Sequence, residues 1–282
     1  MFEIVEKRQL NNKTALLSIY APMVSKKAMP GQFVILRADK EGERLPFTIM
    51  DFDREKKTVS IVFKAVGAGT LRLSKFNQGD RLADMVGPLG VQKETKGFTR
   101  VAVVGGDTGC ASAYIYAKEL NKNGCKVDTV MGFRTAEEVI LAEEFKAVSD
   151  NFMLYTDDGS AGNKGVVTDG LKTFLDKGIK YDLVIDFGHL VMMKNVCQLT
   201  RKYGIKTIVS MTPIMLDGTG MCGSCRLTVN GQVKFACVDG PDFDGFTVDF
   251  DEAIKRNKAY ANQERHAYDK ACNLLKEGNK NA

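Results

Sequence analysis

Val101-Ala102-Val103-Val104-Gly105-Gly106-Asp107-Thr108-Gly109 decides the architecture of this chain. A buried apolar run ends in a glycine pair, and helical spacing follows from Ala111 to Asn121. A short, unbroken apolar run is the pattern of a strand covered on both faces. Outward from it, Lys126–Gly132, Phe152–Tyr155, Tyr181–Asp186 and Lys206–Ser210 read as further strands between helical stretches. Strands alternating with helices predict βαβ units and a parallel sheet across residues 99–211.

Upstream the pattern differs. Ala15–Tyr20, Gln32–Leu36, Pro46–Met50 and Thr58–Phe63 are short runs rich in Val, Ile and Phe, with turn signals at Asn11-Asn12, Pro30-Gly31 and Asp53-Arg54. Such spacing predicts a small antiparallel barrel or sandwich over residues 1–98, interrupted by one helix near Thr70 to Phe76. Residues 212–282 hold a stretch rich in Gly and Cys, a hairpin signal at Asn230-Gly231 and a helical tail from Phe250 to Lys276. The expected fold class is therefore β plus α/β, with an antiparallel β-barrel, a parallel-sheet domain and a small C-terminal loop with a helix.

The 282 residues suit about two domains with an appendage. Forty Lys and Arg against 35 Asp and Glu give +5, with both signs interspersed and no basic stripe of the kind nucleic acid requires. No apolar run approaches the ~20 residues of a membrane span. Charges occupy the first residues, where a signal peptide needs an apolar run. A soluble, cytoplasmic protein without nucleic-acid or membrane partners is expected. Seven cysteines argue against a complete disulfide framework. With only His189 and His266 present, histidine-base chemistry is not expected.

Three constellations carry chemistry. In the first, Asp217-Gly-Thr-Gly-Met-Cys222-Gly-Ser-Cys225 is followed by Cys237 across the hairpin. Two thiolates on one tight loop and a third returning beside them suit a metal; zinc uses the same spacing. Interleaved Gly218, Gly220 and Gly223 favour an iron–sulfur cluster, since small residues let backbone N–H groups approach sulfur. Asp217 can be the fourth ligand or a turn residue, because Asp-Gly is a common turn dipeptide. In the second, Arg44-Leu45-Pro46-Phe47-Thr48 lies upstream of Phe63-Lys64-Ala65 and Gly67-Ala-Gly69-Thr70. An arginine there can pair with a pyrophosphate and a hydroxyl four residues on can reach a planar heterocycle; a solvated arginine is the plainer alternative. In the third, the glycines around Gly106-Asp107-Thr108-Gly109 permit close approach of a dinucleotide, although Asp107 would repel phosphate unless it points away. Asp157-Asp158, ending a strand on the same sheet edge, can accept from ribose hydroxyls or cap the next turn. Cys110, near the helix start, can be a thiol of lowered pKa or, more commonly, small packing, and the Met192-Met193 pair reads as core.

Taken in order, R-x-P-F-T, G-x-G-T, GGDTG and the cysteine cluster ending Cys237-Val-Asp-Gly-Pro241 resemble the ferredoxin–NADP reductase superfamily. Within it, the whole chain is similar to electron-transfer subunits of class B dihydroorotate dehydrogenase. It resembles still more the small subunits of NADH-dependent reduced ferredoxin:NADP oxidoreductase, also known as sulfide dehydrogenase. The resemblance implies FAD on residues 1–98, NAD(H) on 99–211 and a 2Fe–2S cluster on 212–282. It assigns Arg44, Leu45, Pro46, Phe47, Thr48, Phe63, Lys64, Ala65, Gly69 and Thr70 to the flavin. It assigns Gly106, Asp107, Thr108 and Gly109 to the nicotinamide side, and Asp217, Cys222, Cys225 and Cys237 to the cluster. In the dihydroorotate group a cysteine begins the cluster pattern; aspartate in that slot resembles the ferredoxin:NADP oxidoreductase small subunits. Asp157-Asp158, where NADP-specific members place a serine and an arginine, implies NAD(H). The function implied is relay of electrons among NAD(H), FAD and the cluster to a larger flavin and iron–sulfur subunit, with ferredoxin reached through the complex. Two alternatives stand beside it: an electron-transfer subunit of dihydroorotate dehydrogenase, and a zinc-bound, non-enzymatic interaction module.

Overall fold

A computed structural model describes residues 2–278, with side chains described through Cys272. The N-terminal strands are β1 (Phe2–Gln9), β2 (Thr14–Tyr20), β3 (Phe33–Arg37), β4 (Arg44–Thr48), β5 (Asp51–Asp53), β6 (Thr58–Lys64), β7 (Arg81–Leu82) and β8 (Asp84–Leu89). They form two antiparallel sheets, ordered β5-β6-β2-β1-β7 and β4-β3-β8. Ile4, Leu17, Ile19 and Ile61 from the first sheet and Val34 and Leu36 from the second are buried in one shared core. Pro46 is tolerated because β4 has a neighbour on one side only, where it pairs with Ile35. Two short helices interrupt the strands, α1 (Pro22–Lys27) and α2 (Ala68–Leu73). The second begins two residues before the expected Thr70, because the Thr70 hydroxyl accepts from the Val66 and Gly67 N–H groups and closes the turn there.

The central sheet follows the predicted alternation: β9 (Arg100–Gly106), α3 (Gly109–Lys122), β10 (Lys126–Phe133), α4 (Ala142–Val148), β11 (Asn151–Thr156), β12 (Asn163–Lys164), α5 (Val167–Asp176), β13 (Leu183–Phe187), α6 (Leu190–Lys202) and β14 (Thr207–Ser210). Its order, β12-β11-β10-β9-β13-β14, is parallel throughout. The chain winds one way from β9 to β12 and the other way through β13 and β14, so the switch point lies between β9 and β13. Ligands of open α/β sheets bind outside the carboxyl ends of the strands at such a point.

The cysteine-bearing segment supplies β15 (Arg226–Val229), β16 (Gln232–Phe235), α7 (Ala236–Asp239) and β17 (Asp242–Asp244). Asn230 and Gly231 both take positive φ, the backbone of a type I′ hairpin turn. Strand β17 joins the central sheet antiparallel to β14, with Phe243 opposite Val209. One apolar cluster unites Phe33 and Ile35 of β3 with Met193, Met211, Cys225, Cys237 and Phe243. The tail, expected as one helix, is two: α8 (Phe250–Asn257) and α9 (Ala261–Gly278), separated by a turn at Lys258–Tyr260. Asp249 caps α8 by accepting from the Glu252 N–H. The rest of the 212–282 segment, past Gly278, lies outside the described residues. Among the described residues no helix is long and apolar enough to cross a membrane.

Candidate functional site

The switch point opens into a cleft of about 280 Å³ between the two halves of the molecule. Pro46, Phe47 and Thr48 of β4 and Val62 of β6 form one wall; Gly106, Thr108, Gly109, Gly188 and His189 form the other. Glycine at 109 is required by packing, since a Cβ there would lie 2.5 Å from the Phe187 carbonyl oxygen on the neighbouring strand. Phe63 does not line the cleft. It is buried behind Phe47, with ring centroids 6.1 Å apart, and Val62 on the opposite face of β6 points into the cleft instead. Arg44 is exposed at the start of β4 and makes no ion pair among the described residues. Leu45 packs beside Gly69, where a Cβ would come within 3.0 Å of its Cδ2. The Ala65 N–H donates to the Lys13 carbonyl, and the Thr70 hydroxyl is spent within its own turn.

Lys64 and Asp107 meet across the cleft's edge. Lys64 Nζ donates to both Asp107 carboxylate oxygens at 3.0 Å and lies 3.6 Å from Glu138 Oε1. His189 Nε2 lies 3.6 Å from Asp107 Oδ2. Burial alone would push the Asp107 carboxyl up; hydrogen bonding from His189 and Lys64 outweighs it and holds the group at about 2. Hydrogen bonding to Asp107 raises His189 in turn, against the opposing effect of burial. Asp107 takes φ +49°, a left-handed backbone that Asp adopts more readily than most non-glycine residues. Its carboxylate is thus turned toward Lys64, the orientation that removes its conflict with a bound phosphate.

A second cavity, of about 290 Å³, adjoins the cleft and shares Gly106 and His189 with it. Asp107, Gly132, Phe133, Arg134, Glu138, Asp157, Val166, Val167 and Met192 complete its lining. The two acidic residues of the Asp157-Asp158 pair separate here. Asp157 lines the cavity, whereas Asp158 Oδ1 accepts from the Ser160 N–H and hydroxyl and closes a turn. Met193 is core as expected, but Met192 is not: it is only half-buried and lines this cavity, its sulfur 2.5 Å from where a Gly106 Cβ would sit. Cys110 is fully buried, and burial raises its thiol well above the ordinary range, in keeping with a packing role. Sequence reading passed over His189, Arg134 and Glu138. A lone histidine and two scattered charges form no motif, and only the fold brings them to one sheet edge.

The cysteine loop lies against the barrel. A Cβ on Gly218 would come 2.3 Å from Ile35 Cδ1, so the loop can rest on β3 only with glycine there. The four ligand candidates come as two pairs. Cys225 and Cys237, both buried, have sulfurs 3.3 Å apart and are free thiols. Cys222, exposed, lies 3.4 Å from Asp217 Oδ1. Hydrogen bonding from Ser224 lowers the Cys222 thiol, and burial pushes Cys237 up to about 12. Asp217 also accepts from the N–H groups of Thr219 and Cys222, so it shapes the turn as well as standing beside the thiol. Among the described residues no three such side chains converge to hold a single ion. Three thiols, one carboxylate and a glycine-lined loop are a donor set that fits an iron–sulfur cluster, with two ligands available to each of two irons.

Residues 212–249 match the iron–sulfur cluster binding domain of dihydroorotate dehydrogenase B. The chain is 46% identical to the "Dihydroorotate dehydrogenase B (NAD(+)), electron transfer subunit homolog" of Thermotoga maritima, over 95% of this chain and 94% of that one. It belongs to this family of electron-transfer subunits. A protein of Clostridium beijerinckii, "Uncharacterized protein in adh 3'region", is also 46% identical, over 95% of this chain and 93% of its own. Among solved structures, that of an NADH-dependent reduced ferredoxin-NADP oxidoreductase, described in connection with flavin-based electron bifurcation, superposes with a TM-score of 0.90. It is 44% identical, with 96% of this chain and 97% of that one covered. As a member of the dihydroorotate dehydrogenase B electron-transfer family, the chain is an oxidoreductase subunit.

Proposed function

We propose that this chain carries electrons between NAD(H) and a larger flavin and iron–sulfur subunit through one FAD and one 2Fe–2S cluster. The observation that carries the reading is adjacency. Pro46, Phe47 and Thr48 line both the cleft at the switch point and a smaller cavity of about 90 Å³ that reaches Met211 and Met215 in the apolar cluster around Cys225 and Cys237. Bound there, FAD would accept a hydride from NADH and release single electrons to the cluster. Arg44 would pair with the flavin pyrophosphate, with Leu45, Pro46, Phe47 and Thr48 along the ring and Gly69-Thr70 at the phosphate turn. Gly106, Thr108 and Gly109 would admit the nicotinamide, with Lys64 occupying Asp107 so that its charge does not oppose phosphate. Asp157 would accept from the adenosine ribose and repel a 2′-phosphate, which favours NAD(H). Asp217, Cys222, Cys225 and Cys237 would hold the cluster. Domain limits of 1–98, 99–211 and 212–282, a cytoplasmic location and access to ferredoxin through the complex complete the proposal. The names of several relatives favour a second partner, dihydroorotate dehydrogenase; the subunit that co-purifies separates the two. Flavin released on denaturation, iron and acid-labile sulfide are the test. The expected protein is yellow-brown, with one FAD, two irons and two sulfides per chain; zinc without iron after anaerobic preparation would overturn it.

A further inference from the structure

We propose that the C-terminal helix is a strap over the adenosine end of the flavin dinucleotide, an inference that rests on the flavin reading above. Helix α9 leaves the cysteine-bearing lobe after Tyr260 and crosses to the barrel, where it packs on α2. Residues 261–267 are exposed along the crossing, while Tyr268, Ala271 and Cys272 are half-buried where the helix lands. At that landing Ala271 closes a cavity of about 420 Å³ whose opposite walls are Glu41, Glu43, Gly69, Leu71 and Arg72. That volume is within the range of small-molecule sites.

The chemistry of the walls points to a nucleoside. Leu71 and Ala271 offer apolar surface to a flat base. Glu43, whose Oε1 lies 3.3 Å from where a Gly69 Cβ would sit, can accept from ribose hydroxyls. Arg72 is already neutralised by Asp39 at 2.8 Å and Glu41 at 3.6 Å, and the two cations lining the cavity, Arg72 and Lys75, are matched in number by Glu41 and Glu43, so it is not an anion site in its own right. The next residue after Glu43 is Arg44, the proposed pyrophosphate contact, and Leu45 touches the Gly69 turn. A dinucleotide held at Arg44 with its ring in the cleft therefore runs its other half into this cavity, under α9. Release would require the helix to lift.

Cys272 reports on the landing directly. The full-length chain, stripped of flavin and reconstituted, is treated with iodoacetamide, and alkylation of Cys272 is followed by peptide mass. FAD is expected to slow it at least tenfold, and FMN, which lacks the adenosine half, to leave it unchanged. In the same protein Ala271→Trp, which puts an indole into the cavity, is expected to speed FAD dissociation at least tenfold by flavin fluorescence while FMN dissociation stays the same. Equal alkylation with FAD and without it, or equal protection by FMN, overturns the strap and leaves the flavin reading standing. A stripped chain that rebinds no FAD overturns both.

Discussion

Replacing Asp107 by Asn removes one charge and almost no volume, and asparagine tolerates the left-handed backbone at φ +49° as well as aspartate does. The change therefore removes the carboxylate that Lys64 pairs with across the cleft and that His189 also faces. A carboxyl held at about 2 instead of an ordinary 3.8 represents about 2.4 kcal/mol at 1.36 kcal/mol per tenfold change in proton affinity. Asp107 is one-fifth exposed, so most of that should appear in stability. Asp107→Asn is expected to cost about 2 kcal/mol in urea unfolding at pH 7, with Lys64 left to Glu138 at 3.6 Å. The sign with pH is fixed. A lowered carboxyl stabilises the fold above its unfolded value near 4, and that contribution disappears as pH falls through 2. The gap between wild type and variant should therefore shrink to about half by pH 3. Lys64→Met combined with Asp107→Asn should show strong coupling, since each removes the other's partner. An equal loss at pH 7 and pH 3, or additive single and double variants, would refute the ion pair as the source.

Arg44→Ala is expected to weaken FAD binding by about 1.5–3 kcal/mol through loss of a charge-assisted contact; equilibrium titration of the stripped chain measures it, and unchanged affinity removes Arg44 from the site. Asp217→Cys should keep the cluster but lower its potential and alter its EPR signal, because thiolate donates more strongly than carboxylate. Asp217→Ala should lose iron or leave a labile cluster; full iron with an unchanged spectrum would leave Asp217 as a turn residue only. Steady-state rates with an artificial acceptor should favour NADH over NADPH, and Asp157→Asn should narrow the preference while Asp158→Asn does not, since only Asp157 lines the cavity. Equal kcat/KM for the two cofactors would place both carboxylates in solvent.

Strands buried on both faces announced themselves by composition: β9 and β13 are apolar runs whose residues are almost all buried. The hairpin turn was equally plain, since Asn-Gly suits two successive positive φ values. What escaped notice has physical reasons. Strand β1 carries the charged Glu3, Glu6, Lys7 and Arg8 among its half-buried and exposed positions, so charge conceals its pairing with β2. Gly87-Pro88 looks like a strand breaker, yet it lies within β8, an edge strand that pairs only with β3. Strand β17 is three residues long and gains its place only by adding to an existing sheet edge. At the site, consecutive motifs located each cavity, but adjacency in sequence did not fix direction. Phe63 turned into the core, Asp158 into its own turn, and His189, with no motif around it, arrived between the two cavities.

The central claim is that electrons entering from a dinucleotide reach the cysteine loop through a flavin in the same chain. Anaerobic mixing of the purified chain with NADH, followed by freezing and EPR, tests it most directly. The account predicts bleaching of the flavin band together with the signal of a reduced two-iron cluster in the isolated chain, before any partner is added. Flavin that bleaches while the cluster stays oxidised, though a chemical reductant still reduces it, would contradict the relay.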